Sequence, residues 1–549
     1  MALAVGFMGV EPHLARSDRD AAPDWIASGA LAALAFLAVA VLAVAPFGSP
    51  WWLVFALAAI ALLALTAFVS AAAATAGVLA GMVAIAALLM WPGLSAPAPA
   101  TLLAPALAGL LRLPESVSQY LAFAGGTSLA LAAVVAARLG RGAELPAPTA
   151  ALFALAATAT PLVALVVAYL RVTQFDHSIP FASAGVALAA LFALAAERFD
   201  RGSEEQPARR IAAGAFAAAA IAALSFALVA ALSRGYLTVA FALAALGTAL
   251  VSLLRDLPVL RYAVSALGLV VLARIVWDPR IMGASVGSFP ILNWLLLGYG
   301  VPAAAFALSA RLLSARGDDL AVRLSEALAI VFAALLAFFQ IRHLVSGDPL
   351  ARSSGHLEQG LLAMTSLAFS QVLMRLDLKR ANPVFETAST AFATIALLFV
   401  VLGLGLVQNP WLTDERIAGA SFFNSLVPAY LLPGLMALYV ARLSRGIKPG
   451  WYGNAAAGVA LALVLAFVSF EVRHAYHGAR IGFWRATSSS ELWAYTAAWL
   501  VLAIAFLAYG LRRHSLPARV ASAGLIVLVA VKVVVLDFAG IDGLWRALS

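Results

Sequence analysis

Residues 324–343 read LSEALAIVFAALLAFFQIRH, and residues 453–474 read GNAAAGVALALVLAFVSFEVRH. Each is a run of about twenty apolar residues, which at ~1.5 Å per helical residue matches the ~30 Å hydrocarbon core of a bilayer. Each ends on an amide or acid, an Arg and a His, so each reads as a membrane span whose polar end emerges at an interface. Runs of this kind fill the 549-residue chain, which is 64% hydrophobic and 11% charged with a mean hydropathy of +0.99. Soluble domains are nearer ~45–50% apolar and ~25% charged, so the excess cannot be hidden in one aqueous core. Disorder is excluded too, because 30 Phe and 12 Trp supply ample surface to bury.

The runs predict an all-α fold, a polytopic transmembrane helical bundle of about 17 spans reaching from 26–46 to 519–537. The second half contains 289–310, 324–341, 357–374, 385–407, 419–441, 453–470 and 492–511. The stretch 99–112 reads as a re-entrant or interfacial piece. The expected organisation is an N-terminal cytoplasmic segment (1–25), a first group of transmembrane helices (26–145) and three repeat units (146–320, 321–450 and 451–549). The first twenty-four residues carry Glu11, Arg16, Asp18, Arg19, Asp20 and Asp24 without a basic start and apolar run, so they do not read as a signal peptide.

A net charge of +9 does not imply nucleic acid as a partner, because the 35 Lys and Arg are distributed in small groups between spans rather than gathered in a patch. Most fall in alternate loops, among them Arg138 and Arg141, Arg311 and Arg316, Arg375 and Lys379, Arg442 and Arg445, and Arg512 and Arg513. By the positive-inside rule these loops are cytoplasmic and the N-terminus is inside. Zero cysteines removes disulfides, thiolate nucleophiles and Cys-ligated metals. No phosphate-cradling Gly loop is present, and no metal or cofactor is expected.

The opposite side is different in kind. It holds His177, His343, His356, His474 and His477, five of the seven histidines. Gln340-Ile341-Arg342-His343 nearly duplicates Glu471-Val472-Arg473-His474, and each His is followed four residues later by Gly347 or Gly478. Tyr169-Leu170-Arg171 is a weaker third copy. Arg274 with Asp278 similarly resembles Lys532 with Asp537, each a cation about a turn from the end of a span with an acid close by. Such internal duplication suggests a bundle grown by repetition in one orientation, a parallel repeat.

Chemistry is expected where these groups cluster. Glu471 and His474 share a helix face at i,i+3, so a carboxylate there could orient an imidazole as general base. Arg473, His477, Arg480, Trp484 and Arg485 follow closely, a set suited to an anionic headgroup or a glycan. Gln340, Arg342, His343 and Arg171 are the equivalent binding candidates in the other copies. The competing reading is an interfacial cap, with Arg and His snorkelling to headgroups and Trp in the aromatic belt. Arg274 and Lys532 are cations within apolar runs and call for partners, Asp278 and Asp537 being the nearest acids.

The C-terminal stretch from Lys532-Val533-Val534-Val535-Leu536-Asp537 through Gly540-Ile541-Asp542-Gly543-Leu544-Trp545, together with Glu471-Val472-Arg473-His474, resembles a large bacterial family of predicted multi-spanning membrane proteins known only as a domain of unknown function. The resemblance implies an inner-membrane bundle covering most of the chain and brings no catalytic residue with it. Members often begin with a cytoplasmic coiled coil or low-complexity region and continue past the equivalent of Ser549 into another apolar span, so the resemblance implies a chain truncated at its C-terminus.

Three readings of function follow. One is an envelope enzyme, a transferase or hydrolase with His474 or Glu471 as base and Arg473, Arg342 and Arg274 holding an anionic lipid-linked or glycan substrate. The second is a transporter or flippase that uses Arg274 and Lys532. The third is a scaffold for envelope assembly. Membrane lipid is a partner in all three.

Overall fold

The computed structural model of the chain describes residues 23–537 apart from 46–49, 93, 95–114, 141–144, 202–205, 233, 256, 278–285, 288, 290, 348–354 and 421. The stretch 99–112, Asp278, the residues after Asp537 and the side chain of Asp537 lie outside the described residues. Among those described, 15 helices are long and apolar enough to cross a membrane, and two further apolar helices, Thr75–Met90 and Val427–Leu443, are shorter. The two shorter ones fall on the expected spans 73–91 and 419–441. The protein is an all-α polytopic bundle, and its sheet among the described residues is a single two-stranded hairpin.

The chain divides into two compact units, one of residues 1–285 and 297–329, the other of 286–296 and 330–549. The first contains α1 (Trp25–Val44), α2 (Pro50–Val69), α3 (Thr75–Met90), α4 (Glu115–Gly140), α5 (Ala147–Thr173), α6 (Ile179–Asp200), α7 (Pro207–Ala231), α8 (Arg234–Leu254), α9 (Pro258–Trp277) and α10 (Val301–Ser314). Its core is rich in alanine, with Ala56, Ala67, Ala80, Ala150, Ala157 and Ala212 fully buried. Small side chains let helices approach closely, which is what drives packing where lipid is as apolar as Leu. Many large apolar side chains, among them Phe36, Leu129, Leu194 and Leu243, are exposed, the arrangement a lipid-facing surface needs and an aqueous one would not tolerate.

The division falls within α11 (Leu320–Ser346). The second unit continues with α12 (His356–Lys379), α13 (Pro383–Leu398), the short α14 (Pro410–Thr413), strands β1 (Gly419–Ala420) and β2 (Phe423–Asn424), α15 (Leu432–Leu443), α16 (Gly450–His477), α17 (Ser489–Arg512) and α18 (Leu516–Lys532). Sequence signals set several starts: Pro383 and Pro410 occupy first-turn positions where the missing N–H costs nothing, while Asn382, Asn409 and Ser488 cap the first turns with their side chains. Gly478 ends α16 with φ +69°. The hairpin was not expected, because residues 419–424 read as the start of the 419–441 span. The helix instead begins after it, through a π turn over Val427–Leu431. A second π turn precedes α10 over Leu296–Gly300, and a π stretch extends α13 over Phe399–Val407.

Alternation of helix direction gathers the ends of α11, α13 and α16 with the starts of α12, α15 and α17 at one end of the second unit. The other end carries Arg375, Lys379, Arg442, Arg445, Arg512 and Arg513. One close approach matters for the site. A Cβ on Gly360 of α12 would lie 2.3 Å from Ala429 Cα and 2.4 Å from its carbonyl oxygen, so only glycine lets α12 rest directly on the backbone of the π turn. Gly360 is one turn beyond His356, and Ala429 is four residues beyond Ser425.

Candidate functional site

That contact brings His356 against Ser425. His356 Nε2 is 2.8 Å from Ser425 Oγ, and both side chains are buried. On the other side of the ring, Glu415 Oε2 is 2.9 Å from His356 Nδ1 and 2.9 Å from the backbone nitrogen of the same residue. The backbone N–H is well aligned with the carboxylate, whereas Nδ1 is at contact distance but off the hydrogen-bonding axis. Glu415 therefore does two things: it satisfies an unpaired N–H in the first turn of α12 and faces the imidazole. With the ring proton on Nδ1, facing a carboxylate that only accepts, Nε2 is free to accept from the Ser425 hydroxyl. Ser425 Oγ accepts in turn from the Ala418 N–H at 3.2 Å. Gly355 makes room for the acid, because a Cβ there would sit 2.1 Å from Glu415 Oε1.

A cavity of about 310 Å³ opens beside these groups, lined by Val345, Ser346, Gly355, His356, Leu357, Glu415, Arg416, Ala418 and Ser425. Arg416 is exposed and brings positive charge to its rim. Its α11 wall is held by buried Glu358, which contacts Arg342 Nε at 3.0 Å and accepts from Ser346 Oγ at 2.9 Å.

The loops that carry Glu415 and Ser425 are fastened to the loop after α16. The Gly482 N–H donates to Asp414 Oδ1 at 2.7 Å, the Phe483 N–H to the Trp411 carbonyl at 2.8 Å, and the Ile417 N–H to the Ala479 carbonyl at 2.8 Å. Arg485 and Arg480 stand 3.4 and 3.8 Å from Asp414 Oδ2. Burial pushes the Asp414 carboxyl up, but the Gly482 N–H and the two guanidinium groups outweigh it and hold the group below the ordinary range. At Glu415, burial likewise pushes up and is outweighed by His356, again with a net lowering. A carboxylate whose folded pKa is depressed contributes stability above its unfolded value and loses it as pH falls through the folded one. The fastened loops are thus expected to hold at neutral pH and to open as pH drops below 4.5 and then 3.8, the ordinary values of the two groups. Amide hydrogen exchange of residues 409–425 and 479–488 across pH 6 to 3 measures this, and protection unchanged down to pH 3 would contradict it.

The structure separates some residues that the sequence groups together. Glu471 and His474 do not meet: Glu471 Oε1 accepts from Asn424 Nδ2 at 2.7 Å, and His474 Nδ1 donates to the Gly478 carbonyl at the end of its own helix, 2.7 Å away. Arg473 is buried and fully committed. Nε donates to the Ile481 carbonyl (2.8 Å), Nη1 to Thr487 Oγ1 (3.2 Å) and Glu491 Oε1 (2.9 Å), and Nη2 to the carbonyls of Gly482 (2.8 Å) and Arg485 (3.0 Å). His477 Nε2 contacts Glu491 Oε2 at 2.8 Å, and the Tyr495 hydroxyl donates to Glu491 Oε1 at 3.1 Å. Trp484 is exposed on the same loop, packed edge-on against Phe483.

Gln340 pairs with Asn293 through reciprocal amide bonds of 2.8 and 3.0 Å, and His343 is half-buried on α11. Lys532 meets α17, donating to the Leu492 carbonyl and Thr496 Oγ1, both at 2.7 Å. In the first unit Arg171 donates to the Trp91 carbonyl, and Arg274 is half-buried in the last turn of α9. No group of three or more His, Asp or Glu among the described residues is placed to hold a metal ion.

Sequence reading marked His356 as one of the outer-face histidines and did not single out Ser425 or Glu415. The signal that could have raised them is a buried acid, serine and histidine at span ends without topological purpose, but no motif links them. Neither a curated protein nor a solved structure matches the chain. A family model does match, over residues 1–549, and with its apolar helices the chain belongs to the family described as Predicted membrane protein (DUF2339).

Proposed function

We propose that this protein is a membrane-embedded serine acyl-transfer enzyme, a hydrolase or transferase, working at the non-cytoplasmic face on an anionic lipid-linked substrate. The observation that carries the reading is the linear order Ser425 Oγ, His356 Nε2, His356 Nδ1, Glu415 Oε2, with steps of 2.8 and 2.9 Å, on the wall of a cavity. Nucleophile, base and orienting acid are recognised by this geometry on unrelated folds, and apo contacts are often less well aligned than those with substrate bound.

The chemistry runs through these atoms. Ser425 Oγ attacks the acyl carbonyl as its proton passes to His356 Nε2. The ester C–O bond then breaks and the leaving alcohol takes that proton. Water or an acceptor alcohol next attacks the acyl–Ser425 ester, giving its proton to His356, and Ser425 is restored as the proton returns to it. Glu415 holds the ring and stabilises its charged form between steps. A lipid-borne substrate is supported by exposed Trp411, Phe422, Phe423, Phe483 and Trp484 on the surrounding loops, the side chains that sit at a headgroup layer. An anionic one is supported by Arg416 at the rim. The basic residues at the far end of the second unit support the orientation.

The test is covalent labelling of purified protein in nanodiscs with a fluorophosphonate probe, with the labelled residue identified by peptide mass spectrometry. Wild-type protein is expected to label at Ser425, Ser425→Ala to lose the label, and His356→Ala to label at least ~100-fold more slowly, within the range general-base removal costs. Wild-type protein that stays unlabelled, or labels equally in Ser425→Ala, would overturn the reading.

A further inference from the structure

The pairing of Asn424 with Glu471 has a counterpart in the same unit that contains no nucleophile. Asn424 Nδ2 donates to Glu471 Oε1 at 2.7 Å while its Oδ1 accepts from the Leu426 N–H at 2.9 Å, so one buried side chain clamps the backbone on both sides of Ser425 to the end of α16. Asn293 does the same for Trp294: Nδ2 donates to Gln340 Oε1 at 2.8 Å and Oδ1 accepts from the Leu295 N–H at 3.0 Å. In both cases the partners are 47 residues apart. In both, the clamped residue closes a loop behind it, Trp294 N–H to the Val286 carbonyl and Ser425 N–H to the Ala418 carbonyl. A π turn follows each, with a buried tyrosine at the matching position, Tyr299 or Tyr430.

We infer that the Asn clamp is a duplicated device of the fold, and that in the second copy Glu471 acts through Asn424 as a positioning residue that sets Ser425 against His356. The inference rests on the proposed role of Ser425. It gives Glu471 a different part from that of a base: it reaches only Asn424 among the polar contacts described here, and the other copy does the same work with a neutral amide, Gln340. Charge at position 471 is therefore dispensable, while a hydrogen-bond acceptor of the right length is not. Sub-ångström placement of a nucleophile governs how often it reaches attack geometry, and an error of about 1 Å can cost ~100-fold.

The experiment measures fluorophosphonate labelling rate per folded molecule, with folded protein counted by size-exclusion in detergent. Glu471→Ala is expected to slow labelling by about tenfold to a hundredfold, whereas Glu471→Gln, which copies the Gln340 pair, is expected to stay within about threefold of wild type. Gln340→Ala removes the same bond where Trp294 replaces the serine, so it should lower stability and leave the rate unchanged. If Glu471→Ala does not accumulate, Glu471→Asp is read with the same expectation, since the shorter side chain withdraws the acceptor by one methylene.

A wild-type rate in Glu471→Ala overturns the inference. So does a Glu471→Gln as slow as Glu471→Ala, which would mean that charge is needed, or a Gln340→Ala equally slowed, which would mean general loosening. Absence of any Ser425 label in wild-type protein is a separate outcome that strikes the parent reading.

Discussion

Arg473→Met is expected to be the most damaging single substitution at this end of the molecule, with a loss of about 3–5 kcal/mol in stability. The guanidinium is 4% exposed, and its five N–H groups go to three loop carbonyls, one hydroxyl and the Glu491 carboxylate. Methionine fills much of the volume but returns none of these bonds. Three carbonyls of the 481–485 turn lose a donor, and Glu491, fully buried, keeps its charge with His477 and Tyr495 as its remaining side-chain partners. Removing one member of a buried pair is costly because it strands the other.

Arg473→Lys should rescue little, since three donors on a point charge cannot replace a planar fork of five. Arg473→Met combined with Glu491→Gln should recover part of the loss, because the stranded charge is gone. Thermal unfolding in detergent, followed by tryptophan fluorescence, checks all three. A melting temperature for Arg473→Met within 1–2 °C of wild type would show that the network contributes little.

The second large effect is expected at Gly360→Val. The new Cβ would meet Ala429 Cα at 2.3 Å, its oxygen at 2.4 Å and its carbonyl carbon at 2.7 Å. These are backbone atoms, so no rotamer change relieves the clash and α12 must move away from the π turn. Overpacking of this kind costs about 1–3 kcal/mol. The larger consequence is local, because the displaced helix carries His356 and the π turn follows Ser425. A separation growing by about 1 Å would break the 2.8 Å contact, and labelling of Ser425 should fall by ~100-fold or more. Gly458→Val on α16 is the control, since nothing lies within 4 Å of its added Cβ. Equal labelling by the two variants would show that the Gly360 contact does not set the site.

Different parts of this molecule were legible for different reasons. Hydrophobic run length is a local property, so the spans, their number and the grouping of polar ends could be read directly. The near-repeat of Gln340-Ile341-Arg342-His343 and Glu471-Val472-Arg473-His474 was visible in the same way. What those residues do was not, because helix-face spacing says which side chains are neighbours and not which ones bond. Glu471 and His474 stand at i,i+3, yet one reaches across to Asn424 and the other folds back on Gly478. Arg473, read as a ligand-binding cation, has its donors spent on the loop after α16 and on Glu491 of α17. Lys532 counts a carbonyl and a hydroxyl of α17 among its partners, which nothing in its own span announces.

The amino-acid sequence by itself determined that this chain must live in lipid as a many-helix bundle and that one set of span ends would carry Arg, His and acidic groups. Burial and helical period are set within twenty residues. The meeting of His356 with Ser425, 69 residues away, and with Glu415, 59 residues away, was decided only by the tertiary structure. Serine is too common at span ends to stand out, and the acid lies in a loop whose path depends on what it is fastened to. It took a glycine contact between α12 and the π turn, and a loop tied down through Asp414, to turn three unremarkable residues into one arrangement.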